Sequence, residues 1–330
     1  MKTILVTGCA GFIGSVVSQK LLHSGYAVLG VDNMNDYYDP RLKEWRLKGL
    51  SGNPKFRFIE IDIADYQGLR TALEPEKVTY HLGNPVDAVI NLAARAGVRA
   101  SVEDPWAYLD TNTKGTLNLL ECCKEFGIRK FVLASTSSIY GLNEMPFRET
   151  DNTDRPLAPY SATKKAAEAL CYTYHFLHGL DISIPRYFTV YGPAGRPDMS
   201  IFRFIRNIDT GKSIPVFGDG KQKRDFTYID DIAEGTLKCL QPFGYEFFNL
   251  GNDHPSELMQ VINLIEGHLG KKAVIDWFER HPADVPATCA DIEKSRRLLH
   301  WEPAVGIEEG IRNTVQWYRE HREFLLTIKG

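Results

Sequence analysis

No Cys-x-x-Cys pair occurs in the chain, and its six cysteines (Cys9, Cys122, Cys123, Cys171, Cys239, Cys289) have no histidine at metal-ligand spacing. That scatter speaks against a zinc or redox motif and a disulfide framework, and suits buried thiols in a reducing compartment. No metal is expected. Clustered basic residues are missing too, and a net charge of -3 offers no surface for nucleic acid. No apolar run approaches the ~18 residues of a membrane span. The opening Met1-Lys2-Thr3-Ile4-Leu5-Val6-Thr7 runs straight into a strand pattern, with too short an apolar run for a signal peptide. Internal repeats, low-complexity segments and linkers are absent as well. What remains is 330 residues with 43% hydrophobic content, an ordinary globular composition long enough for one large domain or two. The expectation is a soluble cytoplasmic protein without nucleic-acid or membrane partners.

A short β-rich run over 3–7 enters Gly8-Cys9-Ala10-Gly11-Phe12-Ile13-Gly14, a helix pattern over 12–24 follows, and a strand over 27–31 closes on Asp32. Strand, glycine turn, helix, strand and acid form the dinucleotide-binding arrangement. Glycines at 8, 11 and 14 let backbone N–H groups and the helix N-terminus meet a pyrophosphate. Asp32 would accept from the adenosine ribose hydroxyls, and its charge would repel a 2′-phosphate, so NAD is expected over NADP. Residues 33–50 read as a polar, aromatic excursion, either decoration or a lid over the adenine. A third strand over 56–61 closes on Asp62, which could meet the adenine amine or cap a helix. Residues 74–85 read as a polar connection. A fourth strand over 86–91 opens into Leu92-Ala93-Ala94-Arg95, where small residues let the chain pass close to the cofactor.

A long helix is expected over 105–126, with Asn112 holding the next loop. The fifth strand, 130–134, ends in Ser135-Thr136-Ser137-Ser138, beyond the carboxyl end of a strand, where ligands sit in open α/β sheets. The sixth covers 182–188. From Gly195 the alternation becomes irregular: a helix over 200–210, a strand over 214–217, the turn into Arg224-Asp225-Phe226, a helix over 230–240, a strand over 247–250 rejoining the sheet, and a last helix over 307–324. The fold class is therefore α/β, a Rossmann doubly wound parallel sheet with a smaller α/β C-terminal substrate domain. Residues 1–192 plus about 225–251 would form the NAD domain, and 193–224 plus 252–330 the nucleotide-sugar domain, with the substrate in the cleft between.

Tyr160-Ser161-Ala162-Thr163-Lys164 heads an amphipathic helix over 160–178. Residues four apart share a helix face, so the phenol and the ammonium lie together. A phenol titrates near pH ~10; an ammonium about 4 Å away contributes on the order of 4 kcal/mol at a surface-like dielectric. That is roughly what lowering a pKa by about three units requires. Tyr160 could then take a proton from a sugar hydroxyl while hydride leaves the carbon, with Thr136 donating to the sugar oxygen. By themselves the two residues are equally a pair of exposed helix positions.

Taken together, Gly8-x-x-Gly11-x-x-Gly14, Thr136, Tyr160-x-x-x-Lys164 and Arg224-Asp225-Phe226 resemble, over essentially the whole chain, the extended short-chain dehydrogenase/reductases of the nucleotide-sugar branch. The resemblance implies that Tyr160 is the acid/base, that Lys164 holds the nicotinamide ribose and lowers the Tyr160 pKa, and that Thr136 binds the sugar O4. It extends the cofactor set to Phe12, Ile13, Asn33, Lys43, Ile63, Leu92, Ala93, Ala94 and Tyr187, the last beside the nicotinamide. Arg224 matches the arginine on the nucleotide diphosphate. Val216, Phe217 and Asp284 join the implied substrate set. Members of the branch that eliminate water, or decarboxylate, carry acids just after the threonine; here stand Ser137 and Ser138, so oxidation at C4 should be followed by rotation and re-reduction.

Tyr37-Tyr38-Asp39-Pro40-x-Leu42-Lys43, the run from Phe188 to Pro193 and Arg196-Pro197-Asp198-Met199 resemble the UDP-hexuronate 4-epimerase subfamily, which interconverts UDP-glucuronate and UDP-galacturonate. The resemblance implies that the Ser137–Ser138 loop, Thr189 and Arg196 hold the sugar carboxylate. The chain departs from that pattern at Arg95, where glutamine is expected, at Pro185-Arg186, and at His281 with Ala283. A homodimer through the helices over 105–126 and 160–178 is implied too. Two other readings stay open: a neutral-sugar 4-epimerase acting on UDP-glucose or UDP-N-acetylglucosamine, and a non-catalytic NAD sensor or scaffold. Arg196 likewise stays open between carboxylate partner and a surface arginine capping the helix that begins at Ser200.

Overall fold

The computed structural model describes residues 1–279 and 285–329. Its centre is an eight-stranded parallel sheet that runs, edge to edge, Tyr245–Leu250, Asp181–Tyr187, Lys130–Leu133, Val86–Asn91, Thr3–Thr7, Ala27–Asp32 and Phe56–Glu60, with Ser135–Thr136 pairing beside Asp181–Tyr187. The inner strands Thr3–Thr7 and Ala27–Asp32 are buried at every residue, as expected of a parallel sheet covered on both faces. Leu21, Val17 and Ile232 pack on one face, Leu119, Leu120 and Cys171 on the other. Strand order reverses between Thr3–Thr7 and Val86–Asn91, where Thr7 pairs with both Val31 and Asn91. This is the switch point at which an open α/β sheet leaves a crevice for a ligand.

Beyond the sheet, helices Ser200–Thr210, Leu258–Leu269 and Ile307–Glu320 share a second core of Ile205, Ile208, Ile262, Ile265, Ile311 and Val315. The strands Ser213–Phe217 and Val274–Phe278 pair in parallel beside them. Phe226–Tyr228 pairs with Thr189–Tyr191, joining this lobe to the end of the main sheet.

Several local expectations change. The excursion over 33–50 contains a helix, Pro40–Ser51, started by Asp39 as N-cap with proline at N1. The polar connection over 74–85 contains the helix Pro75–Leu82, closed by Gly83 in the left-handed conformation. The long helix over 105–126 is three pieces: Pro105–Tyr108, a π-helical turn Leu109–Lys114, and Gly115–Phe126. Buried Asn112 on that turn exchanges hydrogen bonds with the Arg95 backbone (2.9 and 3.0 Å) and donates to Thr163 Oγ1 (3.1 Å). It therefore holds the preceding loop, not the next one. π-turns recur where a side chain has a task of this kind. The final helix breaks at His321 into Ile307–Glu320 and Arg322–Thr327.

Candidate active site

Gly8 leaves its strand with φ 68°, and a Cβ there would lie 2.8 Å from Ala93 N. A Cβ on Gly14 would lie 2.0 Å from Gly8 O. Both positions therefore require glycine, and the turn closes against the Leu92–Ala93 end of the neighbouring strand. Gly11 caps the helix Phe12–His23 with no side-chain hydrogen bond and no acid in the first turn, leaving its amides to an anion. Above this cradle lies an open cavity. Every residue expected at the cofactor lines it: Gly8, Gly11, Phe12, Ile13, Gly14, Asp32, Asn33, Lys43, Asp62, Ile63, Leu92, Ala93, Ala94, Tyr160, Lys164 and Tyr187. A dinucleotide fits this donor set.

Asp32 is buried, accepts from Met34 N (2.9 Å) and pairs with Lys43 Nζ (3.3 Å). Asp62 accepts from Asn33 Nδ2 and from Ala64 N, each at 2.8 Å. It is not a helix cap; that role belongs to Asp65, which accepts from Gly68 N (3.1 Å).

Ser135–Thr136 pairs in register with Arg186–Tyr187, which sets Thr136 at the mouth facing the helix Pro159–His178. Tyr160 stands in the first turn of that helix, its ring edge-on to Tyr108 at 6.1 Å. The electrostatics differ from the expectation. Burial pushes the Tyr160 phenol above its ordinary value, against the opposing pull of the Thr136 hydroxyl and the Arg196 charge. Lys164 is itself buried, and desolvation lowers it to about 8 against the pull of Glu168. Attraction between a phenolate and an ammonium four residues apart is only part of the balance, because burying each group disfavours its charged form.

That burial has a checkable consequence. An unfolded lysine titrates near ~10.4, so between pH 8 and that value the unfolded chain binds more protons and stability rises with pH. Below about 8 the full penalty is present. Lys164→Met should therefore raise the thermal midpoint of the ligand-free protein at pH 7, by up to about 3 kcal/mol of stability. It should also flatten the alkaline rise and abolish turnover. A midpoint below the parent's in a stripped-protein melt would contradict this.

A second cavity continues from the first and is lined by Ser135, Thr136, Ser137, Ser138, Tyr160, Tyr187, Thr189, Arg196 and Arg224 among others. Arg196 lines both cavities. It is mostly buried, and it does not cap the helix Ser200–Thr210, whose N-cap is Met199. Its Nε and Nη2 fork grips Asp198 (3.0 and 2.6 Å), and Nη2 also reaches Ala96 O (3.2 Å). Val216 and Phe217 line neither cavity. Val216 is fully buried in the smaller core, and Phe217 lies under the Arg99 guanidinium at 3.9 Å. A strand that fills a core with one face cannot offer that face to a ligand. Asp284 and His281 lie outside the described residues. No group of metal-binding side chains is found among the described residues, and none of their helices is long and apolar enough to cross a membrane.

The profile of the NAD dependent epimerase/dehydratase family matches residues 4–251. The chain belongs to the NAD dependent epimerase/dehydratase family. A UDP-glucuronate 4-epimerase of Thermodesulfobacterium geofontis (strain OPF15) is 57% identical over the whole of both chains. The crystal structure of UDP-glucuronic acid 4-epimerase from Bacillus cereus, in complex with UDP-glucuronic acid and NAD, superposes with a TM-score of 0.88 at 37% identity, covering 96% of this chain and 99% of that one. UDP-glucose 4-epimerase from Thermotoga maritima, with UDP-glucose, gives a TM-score of 0.87 at 31% identity over 97% and 99%.

Within this NAD dependent epimerase/dehydratase fold, three groups of residues have places at the site that the sequence did not assign to them. Tyr37 and Arg95 line the cofactor cavity. Buried Arg46 donates to Ala10 O (3.2 Å), Tyr38 Oη (2.7 Å) and Ala194 O (2.7 Å), joining the glycine turn to the loop before Arg196. Glu168 and Arg186 form a buried ion pair behind Ser135. The signal available for Arg186 was a charge between the apolar residues of a strand's inner half; Arg46, on a polar helix, had none.

Proposed function

We propose that this chain is an NAD-retaining UDP-glucuronate 4-epimerase that forms UDP-galacturonate. The observation that carries the proposal is the junction of the two cavities, where Tyr160 and Thr136 meet beside a loop of Ser137 and Ser138 that holds no carboxylate. When bound, the nicotinamide accepts the C4 hydride and later returns it. Tyr160 Oη takes the C4 hydroxyl proton, Thr136 Oγ1 orients that oxygen, and the charge of Lys164 favours the tyrosinate once the cavity is filled. The sugar then turns its other face, and Tyr160 gives the proton back as hydride returns. An acid in the loop would divert the keto sugar to elimination; two serines only hold it. Arg224 contributes to the diphosphate end, and Thr189 with Arg196 to the C5 substituent.

The relatives' named substrate supports the sugar acid. The Arg196 fork gripping Asp198 favours the neutral-sugar reading, because only Nη1 is left without a partner among the described residues. One experiment separates them. Purified protein without added cofactor should convert UDP-glucuronate to its C4 epimer with no net NADH, the NAD having copurified. Arg196→Ala should lose ~10- to 100-fold in efficiency on UDP-glucuronate, at 1.4 kcal/mol per tenfold, and leave any activity on UDP-glucose nearly unchanged. Equal losses on both would favour the neutral sugar.

We assign NAD to residues 1–192 plus about 225–251 and the nucleotide sugar to 193–224 plus 252–330, although Ala290, Leu299 and Trp301 pack into the larger core. Exposed Trp106, Leu109, Tyr172, Phe176 and Leu177, on the two segments named for dimerisation, support a homodimer that covers them. The cysteines, all free and five of them buried, suit the cytoplasm.

A further inference from the structure

The cofactor cavity is lined by four cations, of which two are held in ion pairs and a third feels a nearby carboxylate. Lys43 pairs with Asp32 at 3.3 Å, Arg196 with Asp198 at 2.6 Å, and Lys164 feels the charge of Glu168. Arg95 has none within ion-pair distance among the described residues. Its guanidinium rests 5.2 Å from the centre of the Tyr37 ring, which Arg196 also approaches at 5.3 Å. Tyr37 is fixed in turn by its hydroxyl, which donates to Ala96 O (3.1 Å). The Arg95 backbone cannot drift, because Asn112 holds both its N–H and its C=O. Two residues earlier, Ala93 abuts Gly8 so closely that no Cβ fits between them.

A guanidinium stacked on Tyr37 with no anion of its own, lining the same cavity as a glycine turn whose helix has no side-chain cap, matches a diphosphate better than a ribose or a base. We propose that Arg95 binds the pyrophosphate of the dinucleotide and, stacked on Tyr37, closes residues 33–39 over it. Retention of the cofactor through turnover then depends on this side chain. The inference rests on the NAD-retaining reading above.

The test is release of the cofactor from the purified holoprotein, followed as exchange of bound NAD for excess isotopically labelled NAD. One or two charge-assisted hydrogen bonds correspond to a change of ~10- to 100-fold. Arg95→Gln should exchange faster by that factor, with Arg95→Lys in between. In competition assays, ADP-ribose should weaken against Arg95→Gln while adenosine holds its affinity. Exchange at the parent rate would overturn the inference. So would equal weakening of adenosine and ADP-ribose, which would mean that Arg95 only props Tyr37. A parent protein that carries no dinucleotide would instead sink the NAD-retaining reading itself.

Discussion

Tyr160→Phe should turn over at least ~10²-fold more slowly than the parent, the usual contribution of a positioned general acid/base, while still holding NAD. The substitution keeps the ring, and with it the edge contact to Tyr108 at 6.1 Å, so the helix Pro159–His178 loses no packing. What disappears is the oxygen between Thr136 and the cavity. The pH dependence gives a second reading of the same group. Burial holds the Tyr160 phenol above its ordinary value, so below that value its ionised fraction grows tenfold per pH unit. The single-turnover rate of the parent should climb with pH through neutrality wherever proton removal limits it. The Phe variant should show no such slope. Turnover near the parent rate, or an unchanged slope, would remove Tyr160 from the chemistry.

Glu168→Ala should bring the largest loss of stability, about 3–5 kcal/mol for a buried pair stripped of one partner. Glu168 and Arg186 are each only 2% exposed. Glu168 accepts from Arg186 Nε (3.1 Å) and Nη2 (3.0 Å) and from Ser135 Oγ (2.6 Å). Arg186 also donates to Tyr140 Oη (3.1 Å), which donates to Asn249 Oδ1 (2.6 Å). Without Glu168 the guanidinium remains in the core with no counter-charge, and Ser135, one residue before Thr136, loses its tether. Urea unfolding should show the lower midpoint, and kcat should fall with it. A second substitution, Arg186→Met, removes the stranded charge and should recover much of the stability without restoring kcat, since Ser135 stays untethered. If Glu168→Ala alone proved neutral in the melt, the pair would have no structural role.

The glycine turn, the parallel strands, Asp32 and the Tyr160–Lys164 spacing were all readable along the chain. Each is a local constraint: φ 68° at Gly8 admits few other residues, and a strand buried on both faces must be apolar along its length. Tertiary structure alone decided the charges. Whether Tyr160 is pushed up or down depends on desolvation, on Thr136 and on Arg196, groups brought together from three separate stretches of chain. The same holds for Arg95 above Tyr37 and for Asp198 in the grip of Arg196. Electrostatic energy depends on distance and on excluded water, and sequence separation reports neither. Phe217 and Val216 show the converse case. The resemblance implied them at the ligand, whereas side-chain alternation in the strand Ser213–Phe217 turns the Val216 side chain into the core and Arg99 lies over the Phe217 ring.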